Sequence, residues 1–424
     1  TSAQKRAIED IFSDMASSRP MSRLVQGDVG SGKTMIAAAA AWSASVNGYQ
    51  TALMAPTEIL AVQHYDELSP LFEKLGFRTG LLTGSMTPKQ KRETRELIRT
   101  GYYHLIIGTH ALITEDVEFS SLGLVITDEQ HRFGVRQRSA LSAKGSEPHM
   151  LVMSATPIPR TLALILYGDL DISVVDELPP GRKPVDTFAV DESMRERINR
   201  FIRKLVGEGR QVYIVCPLVD DPEGLDDGRK AVEAYTKKLS EEVFPDLRVG
   251  FVHGKLKQKD KDAVMNEFVA GNIDILVSTT VIEVGINVPN AALMIVENAE
   301  RFGLSQLHQL RGRVGRGKHK SYCILFSQSK NEATKARLDI MTKTTDGFVI
   351  SEEDLKFRGP GDFFGDRQHG MPELKIADLS TDSETLREAA DAAIDLLVSD
   401  PDLSSPENAE LRTAIHAMLE TIQI

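Results

Sequence analysis

Up to about residue 175, short apolar runs alternate with longer stretches of mixed polarity. The runs are SRLVQ from Ser22, QTALMA from Gln50, YHLIIGT from Tyr103, LGLVITD from Leu122 and HMLVMSAT from His149. They are strand-length and separated by helical stretches such as Glu58 to Leu75, a pattern that predicts a parallel sheet with crossover helices. Residues 176–184, DELPPGRKP, break the pattern with three prolines and a glycine and read as a linker. A second α/β unit is expected from near Val185, with strands QVYIVCPLV, LRVGFVHG, DILVSTTVIEVG, AALMIVEN and SYCILFS. Beyond it, Asn331 to Lys343 reads as a helix, Thr344 to Asp382 as a turn-rich, charged stretch, and Ser383 to Ser399 and Pro406 to Thr421 as amphipathic helices. The expected division is 1–180, 181–330 and 331–424.

Composition supports this picture and narrows the partners. A chain of 424 residues needs more than one core, and 41% apolar with 26% charged residues is globular. The net charge of -11 argues against a nucleic-acid coat protein, so any nucleic-acid contact must be local. Cys216 and Cys323 stand in apolar runs and read as buried strand residues in a reducing compartment, with no metal or thiol role. No signal segment and no run of about 18 apolar residues is found, so a cytoplasmic protein without a membrane span is expected.

The chemistry begins at Gly27-Asp28-Val29-Gly30-Ser31-Gly32-Lys33-Thr34, which satisfies G-x-x-x-x-G-K-[ST] between an apolar run and an alanine-rich helix. Glycines let such a backbone wrap phosphates, and the helix start adds partial positive charge. ATP is the expected ligand, with Lys33 on the β and γ phosphates and the Thr34 hydroxyl on Mg²⁺. Asp128 and Glu129 end an apolar strand, which places Asp128 at the metal and Glu129 where it can orient the attacking water.

Gln309-Leu310-Arg311-Gly312-Arg313-Val314-Gly315-Arg316 lies in the second half, in the form Q-x-x-G-R-x-x-R. It resembles the last motif of superfamily 2 helicases. The resemblance implies two tandem RecA-like domains, with Arg313 and Arg316 as arginine fingers entering the ATP site and Gln309 beside the nucleotide. Other motifs follow in that family's order: Ala55-Pro56-Thr57-Glu58, Thr83-Gly84, Gly108-Thr109-His110, Asp128-Glu129-Gln130-His131, Ser154-Ala155-Thr156, and Ser278-Thr279-Thr280 through Gly285-Ile286-Asn287. By resemblance Thr57, Thr83, Gly84, Thr109, His110, Thr279 and Thr280 contact nucleic-acid phosphates, Gln4 recognises adenine, and Gly285 lies at the nucleotide. Gln130, His131, Ser154 and Thr156 would couple the nucleotide state to movement. Hydroxyls and strand-end amides that grip phosphates without reading bases suit a translocating enzyme.

Asp128 to Gly134 (DEQHRFG) and Ser154 to Arg160 (SATPIPR) resemble the RecG helicases and the bacterial transcription-repair coupling factor. So does the tail from Asp346 to Gly370, where Arg358-Gly359-Pro360-Gly361 favours RecG. This resemblance places Arg337 on a helical hairpin and Arg358 and Gln368 on a returning loop that couples ATP state to duplex DNA. It implies duplex or branched DNA as partner, single-stranded DNA-binding protein as a candidate partner, and a monomer. A translocase that displaces bound protein, an RNA helicase and a catalytically dead ATP-binding scaffold are the alternatives. RecG proteins carry an N-terminal wedge domain and this sequence begins almost at Gln4. The expectation is therefore a fragment that keeps nucleotide binding and weak duplex affinity but loses fork specificity.

Overall fold

A computed structural model describes residues 1–128, 141–154, 170–179, 183–217, 229–279, 288–317, 319–364 and 383–422. Contacts divide the chain into two compact units: the first holds two sheets and runs to Ile350, and the second takes the chain from Ser351 to Ile424.

The first sheet comprises β1 (Ser22–Gly27), β2 (Gln50–Met54), β3 (Thr79–Leu82), β4 (Leu105–Gly108), β5 (Leu122–Thr127), β6 (His149–Ser154) and β7 (Asp171–Val175), in the order β3-β4-β2-β5-β6-β1-β7. Its pairings are parallel. Helices Ser2–Met15, Lys33–Val46, Glu58–Lys74 and Pro88–Arg99 belong to this half. Their starts are set locally, by a capping box from Thr1, by Thr57 and by Thr87 ahead of Pro88. Ala3, Ala7 and Ile11 of the first helix share a core with Ile36, Ala37 and Ala41 of the second, where small side chains let the elements approach closely.

The second sheet comprises β8 (Val185–Val190), β9 (Gln211–Val215), β10 (Val249–Val252), β11 (Ile275–Ser278), β12 (Ala291–Val296) and β13 (Ser321–Phe326), in the order β10-β11-β9-β12-β13-β8, again parallel. Helices Arg195–Gly207, Arg229–Lys238, Gln258–Val269, Leu304–Arg311 and Glu332–Lys343 accompany it. The expected α/β fold class of two parallel-sheet halves with a helical C-terminal part is what the chain forms.

Three strands escaped the sequence pattern. β3 has four residues, β7 is half-exposed at a sheet edge, and β8 (VDTFAV) starts directly after the prolines with one buried residue and no alternation. Their strand character comes from pairing with β4, β1 and β13.

The two sheets repeat each other below the level of sequence identity. Gln50 heads β2, and its Nε2 donates to the carbonyls of Ile98 (3.0 Å) and Tyr103 (2.9 Å). Gln211 heads β9 and does the same to Phe268 (2.5 Å) and Ile273 (2.8 Å). Asp128 N, after β5, donates to Met54 O (3.0 Å), and Glu297 N, after β12, donates to Val215 O (2.8 Å).

The stretch read as turn-rich after Thr344 contains an 18-residue helix, Gly347–Phe364. The Asp346 carboxylate accepts from Phe348 N (2.8 Å) at its start, and Ile350 and Leu355 are buried. Burial and a cap thus override the glycines and proline at 359–361. Arg358, expected on a returning loop, lies inside this helix. In the second unit, helices Ser383–Ser399 and Ala409–Ile422 are joined by a turn that Asp400 organises, accepting from Ser404 N, Ser405 N and Asn408 Nδ2 at 2.8–3.0 Å.

Among the described residues, no helix is long and apolar enough to cross a membrane. Both cysteines are free. Cys323 is buried in β13, Cys216 stands half-buried one residue past β9, and burial pushes both thiols up to about 12, so neither ionises at neutral pH.

Candidate functional site

Residues 27–34 link the end of β1 to helix Lys33–Val46. Two glycines shape the turn in the left-handed region, Gly30 at φ +77° and Gly32 at φ +87°. A β carbon at Gly32 would lie 2.1 Å from Gln4 Nε2 and would displace that side chain. That nitrogen donates to Ser31 O (2.8 Å) and ties the first helix to the loop.

Lys33 is 8% exposed, and its ammonium group donates to Gly27 O (2.7 Å) and Asp28 O (2.8 Å). Its charge is therefore held inside the curve of the loop. The Ser31 hydroxyl is fully buried and meets no hydrogen-bond partner among the described residues. Gly32 precedes the following helix and offers it no side-chain cap; Met35 N donates back to Gly32 O (3.1 Å). A phosphate chain fits this donor set. Thr34 is half-buried at the start of the helix, and Asp128 follows β5, where His64 Nε2 meets its Oδ2 at 2.9 Å. Among the described residues no cluster of three or more metal-ligating side chains exists. One hydroxyl and one carboxylate fit Mg²⁺, which is commonly bound by one or two carboxylates plus substrate phosphates and water.

The second half meets this loop through helix Leu304–Arg311. His308 Nε2 lies 2.7 Å from Asp28 Oδ1, and the same Asp28 oxygen accepts from Val29 N (2.6 Å). Gly312 packs against Val29 so closely that an added β carbon would stand 2.9 Å from the valine Cβ. His308 Nδ1 in turn meets Arg311 Nη2 at 2.8 Å. Arg311, 3% exposed, donates to the carbonyls of Met341 (3.0 Å), Thr344 (2.8 Å) and Thr345 (3.1 Å). A polar path thus runs from the phosphate loop through two side chains to the end of helix Glu332–Lys343. The sequence reading missed His308 and Arg311 in this role; the available signal was their i,i+3 spacing, which places them on one helix face. Arg313 is 3% exposed, Arg316 donates through Nε to Gly312 O (3.3 Å), and Gln309 is half-buried on the same helix.

The expected phosphate-gripping segments occupy strand ends. Thr57 caps helix Glu58–Lys74, accepting from Leu60 N (3.3 Å). Glu58 then gathers the neighbouring turn, accepting from Thr83 Oγ1 (3.0 Å), Ser85 N (3.2 Å) and the Ser85 hydroxyl, while Gly84 O accepts from Lys91. Thr109 follows β4 beside exposed His110, and Thr279 follows β11; the hydroxyls of both threonines are buried without a partner among the described residues. Ser154 ends β6, and Arg337 Nη2 donates to Glu300 O (2.5 Å). Glu129, Gln130, His131, Thr156, Thr280, Gly285 and Gln368 lie outside the described residues, as does the side chain of Arg358.

Comparison with known proteins defines the class. A family model of the DEAD/DEAH box helicases matches residues 1–165, and one of the helicase conserved C-terminal domain matches 195–318, so the two sheets form a two-part helicase core. A third model, the C-terminal part of domain 3 of the ATP-dependent DNA helicase RecG, matches 344–422. The chain belongs to the RecG family. It is 52% identical to the ATP-dependent DNA helicase RecG of Bacillus subtilis (strain 168) over 97% of this chain and 60% of that protein. Against the RecG of Synechocystis sp. it is 51% identical over 97% of this chain and 49% of the relative. A solved structure of RecG bound to a three-way DNA junction is similar with a TM-score of 0.77 and 50% identity, over 91% of this chain and 50% of that one. The chain thus spans about half to three-fifths of the length of these relatives.

Proposed function

We propose that this chain is an ATP-driven motor that moves on double-stranded DNA and remodels branched DNA, such as stalled forks and Holliday junctions, in recombination and repair. The observation that carries the reading is the contact of helix Leu304–Arg311 with the phosphate loop, His308 on Asp28 and Gly312 on Val29. It brings the segment bearing Arg313 and Arg316 to the nucleotide loop. The named relatives and the junction-bound structure support DNA as the substrate. In this reading 1–180 and 181–330 act as two motor domains and 331–424 as the translocation module, in a monomeric, cytoplasmic protein with single-stranded DNA-binding protein as a candidate partner.

Lys33 and the loop amides hold the phosphates, Gln4 takes the adenine, and Thr34 with Asp128 holds Mg²⁺, which when bound neutralises charge on the phosphate oxygens. Glu129 orients the attacking water, and Arg313 and Arg316 stabilise the charge that develops on the transferred group. Thr57, Thr83, Gly84, Thr109, His110, Thr279 and Thr280 grip DNA phosphates. Gln130, His131, Ser154 and Thr156, with Arg337, Arg358 and Gln368, pass the nucleotide state on. The path Asp28–His308–Arg311 to residues 341–345 supplies a physical connection for that transfer.

ATP turnover measured without nucleic acid and with single strand, duplex, fork and RNA tests this. Duplex or forked DNA is expected to stimulate turnover most, and Lys33→Ala to lower it by about 100-fold or more. Stimulation by RNA alone would overturn the DNA reading, and strand-independent displacement of a bound protein without fork remodelling would favour a protein-clearing translocase.

A further inference from the structure

The centre of the second sheet has the same layout as the centre of the first. In the first, Lys33 opens the helix that leads into β2, Asp128 follows β5, and His64 reaches Asp128 from the helix after β2. In the second, Arg195 opens the helix that leads into β9, Glu297 follows β12, and Tyr235 donates to Glu297 Oε1 (2.8 Å) from the helix after β9. One difference separates them. Lys33 folds back on its own loop, whereas Arg195 spans the centre and grips Glu297 with both nitrogens, Nη1 to Oε1 at 2.6 Å and Nη2 to Oε2 at 2.8 Å.

The grip is built from several sides. Arg195 also bonds Glu192 at 2.9 Å, and its guanidinium lies 3.6 Å from the centre of the Phe326 ring. Bidentate carboxylate pairing and aromatic stacking suit a planar guanidinium and would not suit a lysine. Burial and the neighbouring Glu297 push the Tyr235 hydroxyl up, so it stays protonated and donates.

Glu297 is also the first residue of the segment that carries His308, Arg313 and Arg316 to the phosphate loop. Two arginines hold its beginning: Arg195 on the Glu297 carboxylate and Arg337 on the Glu300 carbonyl. We propose that Arg195 is a positioning residue which fills the second sheet's phosphate-side centre from within and, through Glu297, fixes the start of the finger segment so that Arg313 and Arg316 arrive as a rigid pair. The proposal rests on the ATPase reading above.

Steady-state ATP turnover on duplex DNA for Arg195→Ala, Arg195→Lys, Glu297→Gln, Arg313→Ala and the double variant Arg195→Ala/Arg313→Ala tests it, with thermal unfolding as a check on the fold. Arg195→Ala and Glu297→Gln should lower kcat about 10- to 100-fold while KM for ATP stays within about twofold, because misplaced groups cost rate and the Lys33 loop is untouched. Arg195→Lys should recover part of the loss. The double variant should be slowed by clearly less than the product of the two single losses, since part of the Arg195→Ala loss is exerted through Arg313. Unchanged kcat in folded Arg195→Ala, a change confined to KM, or losses that multiply in the double variant would each overturn the proposal. Should Arg195→Ala not fold, the near-isosteric Glu297→Gln decides by the same criteria. Wild-type-like turnover by Lys33→Ala would instead sink the ATPase reading itself.

Discussion

At the scale of residues, two histidines serve the fold as neutral acceptors. His149 Nδ1 accepts from Met21 N (2.8 Å) and His104 Nδ1 from Arg78 N (3.2 Å). Burial lowers the pKa of both below the ordinary 6.5, with Arg78 adding to the effect at His104. A folded-state pKa that is depressed for a base means that the unfolded chain binds more protons below pH 6.5. Their contribution is therefore complete above that value and is lost as the pH falls through the window beneath it. Denaturant midpoints should drop between pH 7 and pH 5, and by less in a chain carrying His149→Asn. Equal drops would show that His149 is not the titrating group. The phosphate loop shows how much a single residue type can settle: at Gly32 the left-handed φ favours glycine, and any β carbon there would push the Gln4 side chain off Ser31 O.

At the scale of elements, each sheet uses one buried glutamine, at the head of its second strand, to close the helix–strand connection before its fourth, β4 and β11. Gln50 and Gln211 are each 3% exposed and each donates to two carbonyls from the helix–strand connection beside it. Leucine at either place would keep the bulk but leave two carbonyl acceptors unmet, and at Gln50 also the Ser120 and Ser121 N–H groups that its Oε1 accepts from, at about 1–3 kcal/mol apiece. We expect both Gln50→Leu and Gln211→Leu to destabilise in chemical denaturation, Gln50→Leu by the larger amount; a loss confined to one of them would show that the repeated geometry does not carry repeated energy. Helix Gly347–Phe364 teaches a different lesson. Its glycines and proline read as a loop, and only the Asp346 cap and the buried Ile350 and Leu355 reveal a helix.

At the scale of the whole molecule, the proposed motor would have to combine a net charge of -11 with binding to a polyanion. The contacts must then be local phosphate grips, and their strength must fall with salt as counterions compete. Duplex affinity measured between 50 and 200 mM salt, a range in which several such contacts cost about a thousandfold, should decline steeply. Affinity that ignores salt would show that cationic side chains do not hold the duplex phosphates. The polar path from Asp28 through His308 and Arg311 to the carbonyls of residues 341–345 also belongs to this scale, because it joins parts of the chain more than 300 positions apart in a few ångström-scale steps.

Sequence alone determined what is written in local pattern. Strand-length apolar runs gave the two parallel sheets, the spacing of Gly27 to Thr34 gave the phosphate loop, and the order of short motifs gave the helicase family. Each depends on residues near one another in the chain, where periodicity and turn chemistry act directly. Tertiary structure decided the rest. Strands β3, β7 and β8 exist because neighbours pair with them, His308 matters because Asp28 lies 2.7 Å away, and Arg195 matters because β12 delivers Glu297 to it. No local pattern encodes those meetings, since hydrogen bonds and ion pairs depend on distances in space that chain position does not fix.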